Sequence, residues 1–302
     1  MKLKKMLSAI FGIVLLAFLT FLILHQVLPK APPRIHVTAE LSSNENKESI
    51  RFTAIGDSLT EGVGDETNQG GFVSLVSNSL QEEFSLTSVE VDNYGVAGER
   101  SDQILKRLEK EEEIRNSLQK SDIITLTVGG NDLMKVIRNN FFGLSVESFK
   151  KPLKKYQETL SDLLVDIQKL NPEAPIYVLG IYNPFYVNFP EITDVDTIVT
   201  NWNNGTKQVI DQMEHVHFIP VNEVISRGLE EPTIHAAEEE RTSSSKEEQG
   251  LNDLNAVKNN LLYDKDKFHP NNNGYQLMAN EVEATIVRTQ KEWLPKEDES
   301  HG

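Results

Sequence analysis

The residues able to do chemistry lie at opposite ends of this 302-residue chain. Near the far end, "YDKDKFHPNNNGY" (Tyr263 to Tyr275) sets Asp266 and His269 three positions apart, followed by a proline, three asparagines and a glycine. Pro, Asn and Gly make turns, so the segment reads as a loop before a last helix. A carboxylate three residues ahead of a histidine can reach back to ring Nδ1 and leave Nε2 free to act as a base. Asp264 stands in the same loop as an alternative acid. A base of this kind turns a serine hydroxyl, otherwise a weak nucleophile, into an effective one. Such a serine occurs early in the chain, where "GDSLTEGVG" places Ser58 two residues after Gly56.

Two more glycine-rich turns carry small polar groups. "NYGVAGERS" holds Gly95 and Gly98, and "GGNDL" holds Asn131 and Asp132. Taken singly, each motif has an ordinary explanation: Gly-Asp-Ser as a helix N-cap, Gly-Val-Ala-Gly as a tight turn, Asn131 as a cap at the start of a helix. Their joint occurrence in this order, closed by Asp-x-x-His-Pro, points to catalysis. Glycines let backbone N–H groups approach a reacting atom, which is what a developing oxyanion requires.

Positioning these turns requires strands. β-rich runs occur at Ile50–Ile55, Val89–Tyr94, Ile123–Val128, Ile176–Ile181 and Val216–Val221, several nearly continuous in apolar residues, as in strands buried on both faces. Helical stripes separate them. The clearest runs Phe149, Leu153, Tyr156, Leu160, Leu163, Leu164, Ile167, Leu170, and weaker ones span Gly71–Phe84, Ser101–Leu118, Asp194–Met213 and Gly274–Val287. Alternating strands and helices predict an α/β fold with a five-stranded parallel sheet covered on both sides, whose carboxyl strand ends carry the reactive loops.

The remaining candidates have structural readings. His215 and His217 alternate along the fifth strand with no acid or histidine at ligand spacing. Glu111–Arg115 reads as a solvated helix face. The aromatic loops Phe141–Leu144 and Tyr182–Pro190 suit either core packing or the lining of an acyl or sugar pocket. A Gly-x-Ser-x-Gly elbow is absent, because Thr60 stands in the fifth position. The chain has no cysteine, so disulfides, thiol nucleophiles and thiolate metal sites are excluded.

Lys2, Lys4 and Lys5 precede an uncharged apolar run from Met6 to Leu24, whose 19 residues would span about 28 Å as a helix. Residues 1–28 are expected to anchor the protein in the cell membrane, uncleaved, with the body extracytoplasmic; secretion would follow if the segment were removed. Residues 29–49 read as a tether, 50–292 as the catalytic domain with an acidic insert near 230–250, and 293–302 as a polar tail. Beyond position 34 there are 25 basic and 46 acidic residues, a balance that disfavours nucleic acid and anionic membrane surfaces as partners.

The four blocks in this order resemble the SGNH hydrolases, also called GDSL lipases or esterases, and within them the exported YpmR-like branch of Gram-positive bacteria. The resemblance runs from about Ile50 to Val287. It implies a three-layer α/β/α, flavodoxin-like body in which Ser58 is the nucleophile and Asp266 and His269 complete a triad. Gly98 and Asn131 then correspond to oxyanion-hole donors, joined by the backbone N–H of Ser58; Gly95 lies close by, but "VAGE" aligns better with the block. The implied reaction is hydrolysis of a small-molecule, lipid or glycan ester through an acyl-enzyme, with no metal or organic cofactor. An O-acetyl esterase acting on wall polysaccharide and a catalytically silent wall-binding scaffold are the alternatives. The long stretch between Phe185 and Lys265 departs from compact members and bears on the shape of the acyl pocket.

Overall fold

The structure, a computed structural model, describes residues 46–139, 145–184, 193–226 and 260–295. The expected membrane segment, most of the tether, the acidic insert, Phe141–Leu144 and Phe185–Pro190 lie outside the described residues. Among the described residues no helix is long and apolar enough to cross a membrane.

Five strands form one parallel sheet: β1 (Ser49–Gly56), β2 (Ser88–Gly95), β3 (Ile123–Thr127), β4 (Ile176–Leu179) and β5 (Val216–Ile219), in spatial order β2-β1-β3-β4-β5. The strand order reverses between β1 and β3, and an open α/β sheet has its crevice at such a point. In chain order the helices are α1 (Ser58–Glu61), α2 (Phe72–Glu83), α3 (Ser101–Lys110), α4 (Glu112–Leu118), α5 (Gly130–Asn139), α6 (Val146–Leu170), α7 (Thr193–Ile210), α8 (Asn222–Ser226) and α9 (Asn272–Arg288).

Period-two alternation sends strand side chains into two separate cores. Ile55, Ile124, Leu126, Ile176 and Val178 pack with α3, α4, α6 and α7 on one face. Ile50, Phe52, Ala54, Ile123, Tyr177 and Leu179 pack with α2, α8 and α9 on the other. The central strands are thus buried on both faces as their continuous apolar runs predict, and the three-layer α/β/α architecture follows. The edge strand β2 differs: its middle residues are exposed, Val91 among them at 38%. With a hydrogen-bonded neighbour on one side only, β2 needs no continuous apolar run.

Sequence periodicity and structure part at Ser101–Leu118. One expected helix is two, broken at Glu111, where the backbone is extended. Ile104 and Leu108 are buried, as are Ile114 and Leu118, but Leu108 and Ile114 are six residues apart. In a continuous helix that step turns the second pair about 240° away from the first. The break lets both pairs reach the same core, while Glu112, Glu113 and Arg115 stay exposed as the charged cluster predicts.

Residues 46–47 and 294–295, expected to belong to a tether and a tail, pair with each other. Ser49 already belongs to β1. Asn46 bridges to Pro295, and Lys47 N–H donates to the Leu294 carbonyl at 2.8 Å. Trp293 and Leu294 are buried, with Trp293 edge-on to Phe84 at 5.0 Å. Residues 46–49 and 293–295 thus belong to the packed body, because an indole at 293 is buried in the core that α9 lines.

Candidate active site

The turn after β1 is built for close approach. A Cβ on Gly56 would lie 2.3 Å from Thr127 Oγ1, so the ends of β1 and β3 touch only because residue 56 has no side chain. Asp57 caps α1 by accepting the Leu59 N–H at 3.0 Å. Its Oδ1 also accepts the Thr127 hydroxyl at 2.8 Å, and its own N–H donates back to Thr127 Oγ1 at 3.1 Å. Thr60 is fully buried, its hydroxyl 2.8 Å from Thr127 Oγ1. The residue that rules out a Gly-x-Ser-x-Gly elbow thus helps lock the Ser58 turn. Burial pushes the Asp57 carboxyl above its usual range, partly offset by the Leu59 and Thr127 hydrogen bonds and the field of His269.

Ser58 therefore stands in the first turn of α1, on a base fixed from two strands. Its Oγ is 2.9 Å from His269 Nε2, and His269 Nδ1 is 2.7 Å from Asp266 Oδ2. Asp266 also accepts the N–H groups of Phe268 (2.9 Å) and His269 (3.0 Å) through Oδ1. Burial alone would raise its pKa, but the hydrogen bonds from His269 and from these two amides outweigh it and hold Asp266 below the usual carboxylate range. It stays ionised beside the ring. Asp264 is elsewhere: its side chain is 93% exposed and pairs with Lys267.

The third turn enters through α5. Asn131 lies in its first turn and donates through Nδ2 to the Glu99 carbonyl at 2.9 Å, which ties the β3 turn to the β2 turn. A primary amide has two N–H groups, so a second donor remains on the same nitrogen. Asn131, Ser58, Gly130, Ile181, Tyr182 and Phe268 share a hollow of about 40 Å³ at the carboxyl end of the sheet. Gly98 is not among its lining residues; it is exposed, at φ +82°, with open space where a Cβ would point. Gly95 has a different reason to be glycine, since its Cβ would fall 2.0 Å from Glu61 N. Of the two, Gly95 is held by packing and Gly98 by conformation.

Several positioning residues have no local signature in the sequence. Tyr182 donates its hydroxyl to the Phe268 carbonyl at 2.6 Å, tying the β4 turn to the histidine loop. Asn203 brackets Ile181, accepting its N–H and donating to its carbonyl, both at 2.8 Å. Arg107 joins Glu99 at 2.9 Å and the Tyr94 carbonyl at 2.8 Å, beneath the β2 turn. Asp132, the neighbour of Asn131, accepts from Ser101 Oγ (2.6 Å) and Ser101 N–H (2.9 Å); burial raises its pKa against both bonds. Most of these partners are distant in sequence, and the eight-residue step from Glu99 to Arg107 matches no turn or helix spacing, so no spacing rule could reveal them.

His215 and His217 do have an acid. Glu292 Oε2 is 3.1 Å from His215 Nδ1 and 2.9 Å from His217 Nε2. Sequence spacing could not reveal it, because the glutamate follows some 75 residues later. The contact lies at β5, whose partner β4 places Tyr177 against His217 at 5.3 Å. Among the described residues no group of three or more His, Asp or Glu could hold a metal ion.

Residues 54–277 match the GDSL-like Lipase/Acylhydrolase family. The chain is 32% identical over 253 residues to the protein YpmR of Bacillus subtilis, across 84% of this chain and 86% of that one. It is 28% identical over 165 residues to the spore germination lipase LipC of Bacillus licheniformis, covering 53% and 75% of the two chains. In three dimensions it is similar to the lipase Lip_vut3 from a goat rumen metagenome, with a TM-score of 0.60, 24% identity, and 78% and 96% of the two chains covered. A similar likeness, TM-score 0.54 at 18% identity over 78% and 94%, relates it to Axe2, an acetylxylan esterase from Geobacillus stearothermophilus. At these identities the structural likenesses speak for the fold, and the match across residues 54–277 settles the rest: the chain belongs to the GDSL-like lipase/acylhydrolase family of carboxylic ester hydrolases.

Proposed function

We propose that this protein hydrolyses carboxylic esters through an acyl-enzyme, with Ser58 as nucleophile, His269 as general base and acid, and Asp266 as the carboxylate that orients the imidazole. The observation that carries the reading is the continuous line from Asp266 through His269 to Ser58, at 2.7 and 2.9 Å, between groups 211 positions apart. Ser58 Oγ attacks the acyl carbon while its proton passes to His269 Nε2. The carbonyl oxygen becomes an oxyanion, for which we assign the Ser58 and Gly98 N–H groups and the second N–H of Asn131 Nδ2 as donors. Ser58 N–H belongs to the first turn of a helix, where an amide has no intrahelical acceptor. His269 then protonates the departing alkoxide. Water, deprotonated by the same nitrogen, attacks the acyl-enzyme to release the acid and restore Ser58.

Asp266 below its usual pKa fits the orienting role, since an ionised carboxylate stabilises the imidazolium formed in the first step. An assembled Ser–His–Asp line also argues against a silent scaffold. The lysine-led apolar run Met6–Leu24 supports placement of this activity at a membrane, with the body outside. A fluorophosphonate is expected to label Ser58, and Ser58→Ala is expected to abolish both labelling and turnover of p-nitrophenyl esters with the Tm nearly unchanged. Turnover that survives in Ser58→Ala but is lost with a chelator would replace this mechanism by metal-assisted hydrolysis.

A further inference from the structure

Between α1 and α2 the chain runs through "GVGDETNQGG", residues 62–71, with four glycines and one apolar residue. Such a segment has little apolar surface to bury and much backbone freedom to lose, so hydrogen bonds must fix it. One side chain collects five of them. Asp65 Oδ1 accepts the Thr67 N–H at 2.9 Å and the Thr67 hydroxyl. Its Oδ2 accepts the N–H groups of Gln69 (2.9 Å), Gly70 (3.1 Å) and Gly71 (3.0 Å). Burial acts to raise the Asp65 pKa, but the Thr67 hydroxyl and the Gly71, Thr67 and Gln69 amides outweigh it and hold the carboxyl below its usual range. Hydrogen bonds to an ionised acceptor are the strong kind, and here they close the loop around one carboxylate.

The closed loop touches both halves of the reactive line. On one side the N–H groups of Gly62 and Val63 each donate to the Ser58 carbonyl at 3.0 Å. On the other, Gly64 lies against the histidine loop: at φ +97°, a Cβ there would fall 2.3 Å from the Pro270 carbonyl oxygen and 3.3 Å from His269 Cβ. Two hydrogen bonds fasten the same face. Tyr275, buried in α9, donates its hydroxyl to the Val63 carbonyl at 2.7 Å, and Glu66 N–H donates to Asn272 Oδ1 at 3.0 Å. Residues 62–71 therefore run from the back of Ser58 to the back of His269. The histidine loop holds its own shape, but its seat against Ser58 includes this wall.

We propose that Asp65 is a positioning residue for the reaction: by closing residues 62–71 it fixes the wall on which His269 rests, and so the separation of Nε2 from Ser58 Oγ. This role rests on the ester-hydrolase reading and adds to it a carboxylate that acts through the backbone and not on the imidazole. A displacement of about 1 Å between reacting groups can cost about 10²-fold in rate. Asp65→Ala frees four amides and a hydroxyl, so the wall loosens and the ring shifts relative to Ser58. Asp266, in the same loop as the ring, moves with it.

The full chain is assayed well below its Tm for turnover of a p-nitrophenyl ester and for the rate at which a fluorophosphonate labels Ser58. Asp65→Ala is expected to lower kcat and the labelling rate together, about 10- to 100-fold, with KM little changed. Asp65→Asn keeps one acceptor oxygen and is expected to recover part of the loss. A double-mutant cycle with His269→Ala separates positioning from general support of the fold. With the imidazole gone, Asp65→Ala is expected to leave the residual turnover and labelling unchanged, since its effect passes through His269. A lowered Tm with wild-type kcat and labelling, or an equal loss with and without His269, overturns the positioning role and leaves Asp65 a brace for its own loop. Should Asp65→Ala fail to fold, Asp65→Asn enters the same cycle, with the same outcomes at smaller size. Absence of labelling and turnover in the unsubstituted protein overturns the hydrolase reading and the role of Asp65 with it.

Discussion

The two halves of the reactive line are held in opposite ways. The Ser58 turn is buried and fastened from a distance: Thr127, about 70 residues away, bonds both ends of the Asp57 cap, and Gly56 allows the strands to touch. The Asp266–His269 loop is half-exposed and fastened mostly to itself. Tyr263 N–H donates to the His269 carbonyl (2.7 Å), Lys267 N–H to the Tyr263 carbonyl (2.8 Å), and Asp266 accepts two amides of its own turn. The two nearby aspartates show the contrast in their chemistry. Asp57, deep in the protein, is pushed up by burial, whereas Asp266, at the surface, is held down by its hydrogen bonds. Ser58 is placed by the sheet and His269 by its own loop. A site built this way can lose function from one side without losing its fold, and lose its fold from the other.

Damage on the loop side is expected to be the most severe for catalysis. Asp266→Asn keeps an acceptor for the two loop amides but presents the wrong group to Nδ1, so kcat is expected to fall about 10⁴-fold with little change in Tm. A loss below tenfold would leave the imidazole oriented by something else. Asn131→Ala is next, with kcat lowered about 10²- to 10³-fold and KM little changed, since the amide is needed for the developing oxyanion. A destabilised variant with wild-type turnover would make Asn131 a strut for the Glu99 carbonyl instead.

On the sheet side the expected order reverses. Thr127→Val removes a hydroxyl that serves Asp57 and Thr60 in a buried setting, so the cost is expected in stability, about 1–3 kcal/mol by urea denaturation. An unchanged urea midpoint would mean that the turn holds without it. The smallest effect is expected far from the site, at Glu292→Gln. Burial acts to raise the Glu292 pKa, but hydrogen bonds from His217 and His215 outweigh it and leave the group below its usual value. A depressed carboxylate contributes stability above its unfolded pKa and loses it as pH falls through the folded one. Glu292→Gln should thus lower Tm slightly at neutral pH, and the difference should close below about pH 4; a gap that persists in acid would exclude an electrostatic origin.

The contrast also marks what could be read in advance. Asp266 and His269 were legible because their geometry is local: three residues and a turn suffice to bring a carboxylate to Nδ1. The five strands were legible because burial on two faces writes continuous apolar runs. Helix α8 escaped, since it has only five residues, and α5 was legible only at its start, as the helix that Asn131 could cap. Thr127, Tyr182, Asn203 and Arg107 escaped as well, because a Thr, Tyr, Asn or Arg has no local pattern until its partner is known.

By itself the sequence determined the α/β alternation, the parallel sheet and the four loops that carry Ser58, Gly98, Asn131 and the Asp266–His269 pair, because side-chain periodicity and turn chemistry act over a few residues. Tertiary structure alone decided that His269 meets Ser58, that Asn131 spans to Glu99, that Trp293 closes the core, and that lysines of α5 and α6 gather in one groove. Those outcomes depend on contacts between segments tens to hundreds of residues apart, and only a folded sheet brings such segments within hydrogen-bonding range.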